Sequence, residues 1–221
     1  MSRSGVLWQT VVASMVGMIV LAGCNSSKST SSTTTTVASG PAIPSAVPDD
    51  LRLTIFDRLP ANYIEEPAGS DLDGPLGLGE TAEAVDDQET AKQDELLKQY
   101  GFRSAYQRTW VVKGTGKTLI IRAEVMGSPK QALGYFNLLT FAGRTSGQLT
   151  SFPTAQLANA SGFTRSFTDS DGPQVAQDIN MVRGRLFYHL ILTGPRGSIS
   201  PRNVLSIARS QSTEAVTLGY T

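Results

Sequence analysis

Apolar and polar positions alternate most cleanly over 118–126, TLIIRAEVM, where Leu119, Ile121, Ala123 and Val125 share one face and Arg122 and Glu124 the other. That is the period of a strand with two different faces. A neighbouring strand is expected over 104–112, joined to it by the glycine turn KGTGK. The period then changes. Ser128 is a good N-cap, Pro129 suits the first helical position and Gln131 the box position. Ala132, Tyr135, Phe136, Leu139 and Ala142 follow as one apolar stripe, with Gly143 as the expected stop. The same sequence of events recurs downstream. Strands are expected over 163–168, 175–182 and 185–193, followed by a helix from Ser200 and Pro201 that turns Val204, Leu205 and Ala208 inward. Two strand-pair and Ser-Pro-helix units predict an α+β domain, an antiparallel sheet of about five strands with helices mainly on one face. Ahead of the units, a short strand is expected over 51–56. A polar helix should begin at a capping box formed by Asp86 and Glu89 and end at Gly101, with Phe102 folding back on it.

Placing Arg183 and Gly184 as the turn of the last hairpin sets Asp178 opposite His189 and Asn180 opposite Phe187. His189 is the only histidine in the chain, so any serine–histidine–aspartate arrangement has to use it. A facing Asp178 and His189 orient each other, or form a cross-strand polar pair on a wet sheet face. Tyr106, Arg108 and Trp110 alternate on one side of their strand. They suit either a stacked sugar or anionic headgroup or core packing with the arginine stem reaching water. No serine lies in a Gly-x-Ser-x-Gly elbow. The string GTGKT has Val111 where a phosphate loop needs its first glycine, and it opens a strand instead of a helix.

Two decapeptides, DLDGPLGLGE at 71–80 and DSDGPQVAQD at 169–178, carry alternate acids before Gly-Pro and a distal acid. Aligned to a calcium loop, the first supplies Asp71, Asp73 and Glu80 but has Gly69 at the leading ligand position. The second has Phe167 there. Turn chemistry, with aspartate capping its own backbone, is the expectation for both, and no metal is assigned.

The first 24 residues, MSRSGVLWQTVVASMVGMIVLAGC, differ from the rest. Arg3 precedes an uncharged, mostly apolar run of eleven residues, 11–21, too short for a spanning helix and suited to a signal peptide. Leu21, Ala22, Gly23 and Cys24 then resemble the lipobox of bacterial prolipoproteins. The resemblance implies cleavage before Cys24 and transfer of diacylglycerol to its thiol, with palmitate among the acyl chains carried by the modified cysteine. The protein would then be held on the outer face of the cell membrane, where two chains suffice for stable anchoring. Cys24 is the only cysteine, so no disulfide is possible within the chain. Residues 25–39 contain eleven Ser or Thr in fifteen positions, and three prolines follow by 48. Such a segment buries nothing and acts as a tether spanning about 27 Å. The expected organisation is signal peptide 1–23, lipidated cysteine and tether 24–48, and one domain 49–221.

Charge divides the domain. Residues 49–95 hold 14 acids against three basic residues, a net of −11, and residues 96–221 hold 14 basic residues against five acids, a net of +9. A basic surface for an anionic envelope polymer would use Arg183, Arg185, Arg196 and Arg202. The string GFRSAYQRTW resembles one in uncharacterised exported lipoproteins of high-GC Gram-positive bacteria, and EVMGSPKQALGYF is similar to the strand-to-helix junction of other uncharacterised exported bacterial proteins. The resemblance implies an exported, anchored domain and brings no activity. The leading expectation is a non-enzymatic binding module for an envelope component or protein partner, with no cofactor and no nucleic acid. The alternatives are an extracytoplasmic enzyme working with His189 or carboxylates, or a structural subunit of a membrane complex.

Overall fold

The computed structural model describes residues 50–70, 72–86 and 88–220. The signal peptide, Cys24, the tether and Asp71 lie outside the described residues. The described residues begin with a 3-10 helix, Leu51–Thr54, where the pattern suggested a strand. Asp50 accepts a hydrogen bond from the Arg52 amide, and this cap winds the segment up. Two short strands follow, β1 (Tyr63–Glu65) and β2 (Gly74–Leu76), then helices α1 (Leu78–Val85) and α2 (Thr90–Gln99). Gly101 takes φ +69° after α2, and the Phe102 amide donates to the Leu97 carbonyl, the expected left-handed cap.

The first unit is β3 (Ser104–Val112), β4 (Lys117–Val125) and α3 (Pro129–Thr145). A short strand, β5 (Thr150–Phe152), leads into β6 (Ala160–Asp169), β7 (Gly172–Arg183) and β8 (Leu186–Pro195), and α4 (Pro201–Thr217) ends the fold. The strands form one antiparallel sheet in the order β1-β3-β4-β8-β7-β6-β5, with β2 sharing the β1 edge of β3. The class is α+β as expected, with an 8-stranded sheet in place of about five strands. The additional strands are three residues long, too short for a period to show.

Opposed residues in an antiparallel ladder share a face, which fixes what each side of the sheet carries. Ile121, Leu190 and Ile179 stand in one row and Arg122, His189 and Asn180 in the next. The first face packs with Leu119 and Tyr188 against α4, through Val204, Ile207 and Ala208, and against Leu51 and Ile55. The second carries Val182 and Phe187, which pack with Ala132, Tyr135 and Phe136 of α3, Ala82 of α1 and Leu97 of α2. The two Ser-Pro helices therefore take opposite faces, while α1, α2 and α3 share the second, so the helices lie mainly on one face as expected. Both faces are apolar enough to need cover, and a single helical layer would leave one of them wet.

Two further details differ from the sequence reading. Gly143 does not end α3, which runs on to Thr145. A Cβ at Gly143 would lie 2.7 Å from the Phe163 ring, so the glycine lets the helix sit down on β6. In the last hairpin, Arg183 pairs with Leu186, so Gly184 and Arg185 are the turn residues. Gly184, with φ +54°, occupies the first of the two positions, where glycine relieves the left-handed backbone. The register moves accordingly. His189 faces Asn180, and Asp178 faces Ile191.

Candidate functional site

The arginine–histidine row of the sheet is covered by α3 only in part. Between the sheet, the C-terminal half of α3 and the end of α1 lies a cavity of about 80 Å³. Its apolar wall includes Val85 from α1, Leu139 from α3, Phe163 from β6, and Phe187 and Ile191 from β8. Its polar floor is made of Arg122, Arg165, Asp178, Asn180 and His189, one or two from each of four adjacent strands. Burial falls off toward Ser146, Leu149 and the exposed Gln148, which mark the mouth. A cavity of this size holds several waters or a small organic group.

The floor's charges are arranged in a definite way. Arg122 and Glu124 lie two apart on the same face of β4, and Arg122 Nε donates to Glu124 Oε1 at 2.8 Å. Both side chains are out of solvent, 2% and 0% exposed. Burial draws the Glu124 pKa upward, with Arg122 opposing the shift. Glu124 Oε2 and the Tyr135 hydroxyl have no protein partner. Burial, then the Glu124 charge, hold the Tyr135 pKa well above its ordinary value. The Tyr135 ring is fixed between Tyr100 and Phe187, with centroids at 5.6 and 5.0 Å.

Arg122 Nη2 lies 3.3 Å from His189 Nδ1. A guanidinium only donates, so Nδ1 accepts, and the proton of the neutral ring resides on Nε2. Burial and the nearby Arg122 and Arg165 charges hold the His189 pKa well below 6.5. Asp178 is 7% exposed, and its Oδ1 has no protein partner. Burial raises its pKa from 3.8 to about 6, against the pull of Arg165. Asn180, one pleat along and 8% exposed, also has an unpartnered Oδ1.

Asp178 and His189 thus enter the same cavity, although they are not the facing pair expected. Arg122, Glu124, Asn180 and Arg165 were not singled out. The signal for the first two was present as opposite charges two apart on a strand, but alternation alone reads such a row as solvated. Covering it takes α3, which is a tertiary fact.

The other candidate residues go elsewhere. Tyr106, Arg108 and Trp110 do share a face, directed into the α4-side core. Trp110 is buried, and the Arg108 guanidinium lies over its ring at 5.0 Å. Arg108 Nε donates to Glu65 at 2.7 Å, and Nη1 to the Ile55 carbonyl. The same arginine contact holds the Glu65 pKa below its ordinary value. The stem does not reach out to water. Arg108 ties β1 and the chain after the 3-10 helix to the sheet. Arg183 is likewise interior, donating to the Ala158 and Val182 carbonyls and to Ser212 Oγ. Arg183 therefore belongs to the interior and adds no charge to a basic surface. Arg185 lies at the hairpin and donates to the Met126 carbonyl, while Arg196 and Arg202 are exposed.

In the first decapeptide, Asp73 is buried and accepts from the Tyr106 hydroxyl at 3.2 Å. Glu80 caps α1, its Oε2 accepting from the Gly77 amide at 2.6 Å. In the second, the Asp171 amide donates to Asp169 Oδ1 at 2.8 Å as the chain turns from β6 to β7. Asp169 thus serves a turn, Glu80 a cap and Asp73 a contact to Tyr106, while Asp178, the last acid of the second segment, lies on the cavity floor.

Neither the known family models nor the curated proteins match the chain. Among solved structures, the chain is similar to the extracellular domain of PknH from Mycobacterium tuberculosis. The identity is 9% and the TM-score 0.44, over 56% of this chain and 70% of that one. No helix among the described residues is long and apolar enough to cross a membrane.

Proposed function

We propose that the protein is a lipid-anchored extracytoplasmic binding module that holds a small molecule in the cavity beneath α3. Asp178 is the observation that carries this reading. A carboxylate sits at the floor of an apolar-walled cavity with Oδ1 unpaired by protein. Burying such a group without a partner opposes folding. Apolar pockets with a few convergent polar groups and shifted acids are where ligands bind. Binding is favoured over catalysis because His189 is a poor proton acceptor. Its Nδ1 is occupied by Arg122, and two cationic neighbours disfavour its protonation.

The test is to isolate the anchored protein from its own membranes, denature it, and search the released small molecules by mass spectrometry. Wild type should release a species that an Ile191→Trp variant lacks. Ile191 is half-buried at the cavity wall, so an indole there fills the space without entering a packed core. An equal yield from both folded proteins would count against the cavity. The anchor itself rests on the lipobox-like 21–24 segment. Cys24→Ser should move the protein from the detergent phase to the aqueous phase, or leave it unprocessed. A processed variant that partitions like wild type would refute lipidation.

A further inference from the structure

Resting on that reading, we infer that the ligand presents an uncharged hydrogen-bond donor, a hydroxyl or amide N–H, to Asp178 Oδ1 and Asn180 Oδ1. Its apolar body fills the space against Phe163, Phe187 and Ile191. Three observations converge on this. First, the fully buried floor atoms without a protein partner, Asp178 Oδ1 and Asn180 Oδ1, are both acceptors, and both side chains are more than nine-tenths buried. Second, the charges around them are balanced already. Arg122 is paired with Glu124, Arg165 acts on Asp178, and His189 is held neutral. An anion would meet Asp178 and a cation would meet Arg122 and Arg165, each without a spare counter-charge at an apolar-walled site. Third, the wall from Val85 to Leu139 offers hydrophobic contact, with Ser146 and Gln148 at the mouth. The volume of about 80 Å³ admits a small branched alkyl group.

The proposal carries a definite pH dependence. The charged and titratable groups facing Asp178 are Arg165 on β6, Arg122 and Glu124 on β4, and His189 on β8. The cavity residues of α1 and α3 are uncharged. A donor binds a carboxylate more strongly than it binds a neutral carboxyl group. Affinity should therefore rise as pH rises through about 6, where Asp178 loses its proton. An anionic ligand gives the opposite sign, since it binds best while Asp178 is neutral.

Four probes of one shape make the test: isobutanol, isobutyramide, isobutyrate and isobutylammonium. Each is titrated against the full chain in lipid nanodiscs at pH 7.5 and pH 5. Empty nanodiscs subtract partitioning into lipid, and folded Asp178→Asn is titrated alongside. Saturable binding of isobutanol or isobutyramide, about five-fold tighter at pH 7.5, is expected, from the difference between charged and neutral acceptors. Asp178→Asn should weaken that binding and remove its pH dependence. The stronger of the two neutral probes identifies the donor as hydroxyl or amide. Tighter binding of either charged probe overturns the proposal, as does equal binding by wild type and Asp178→Asn, or no saturable binding of the neutral probes. A charged probe that saturates wild type but not Ile191→Trp would overturn the donor chemistry and leave the binding module standing. Absence of every probe together with an empty extract would reject both.

Discussion

Glu124→Ala is expected to destabilise the domain by about 3–5 kcal/mol, the usual cost of leaving one member of a buried ion pair alone. Arg122 would keep its charge beneath α3 with no carboxylate, having His189 Nδ1 as its other described partner. Water has little access, since both side chains are nearly fully buried. The energetics of such pairs are lopsided. Removing both charges and restoring the volume is often neutral or stabilising. The double variant Arg122→Met with Glu124→Leu should therefore recover most of the loss. Urea unfolding of the single and double variants, followed by circular dichroism, decides it. A single variant within 1 kcal/mol of wild type would mean that the pair is solvated in solution.

The second large effect concerns Asp178 and has the opposite sign. Its folded-state pKa, about 6, lies above the ordinary 3.8. Above pH 6 the group is ionised in both folded and unfolded chains, and the folded state carries the whole cost of the buried charge. As pH falls from 6 towards 3.8, the folded state takes up the proton first and the cost disappears. At about 1.4 kcal/mol per tenfold change in proton affinity, the rise amounts to about 3 kcal/mol. Asp178→Asn should accordingly raise stability by up to about 3 kcal/mol at pH 8, with the gain shrinking to nothing near pH 4. Burial holds the folded-state pKa of His189 well below 6.5, so below that pH the unfolded chain takes up its proton first, a loss of stability common to wild type and variant that cancels in their difference. Unfolding of wild type and variant across that range measures the difference directly. A variant less stable than wild type at pH 8 would show that the carboxylate has a native partner. A residue whose removal strengthens the fold while weakening binding is the signature of a functional position.

Much of the architecture was legible in the chain. The 104–112 strand matches β3 residue for residue, and both Ser-Pro signals mark the starts of α3 and α4. These succeed because capping chemistry and period are local. The failures are where tertiary contact decides. Gly143 looks like a helix stop and is instead a point of close approach to Phe163, a residue 20 positions away. The 51–56 segment has a strand's composition, but the Asp50 cap and burial of Leu51 and Ile55 under the sheet make it a 3-10 turn. Arg122 and Glu124 alternate with apolar neighbours as a wet face would, yet α3 covers them. Asp178 and His189 were singled out correctly as residues sharing a face, through a turn placed one residue early. Shifting both ends of a hairpin together preserves which side chains share a face while changing which are opposed, and so the pairing failed where the grouping held. The arginines chosen by charge balance illustrate the reverse limit. Net charge over a segment cannot separate the interior Arg183 from the exposed Arg196.

The most direct measurement is the titration of the Asp178 carboxyl carbon by NMR, in the free protein and in protein saturated with the bound molecule. The account predicts a midpoint near 6 in the free protein. It predicts a lower midpoint in the complex, because a donor on Oδ1 favours the ionised form. A midpoint that stays in place on saturation would contradict the account, since the ligand would then be bound without touching Asp178.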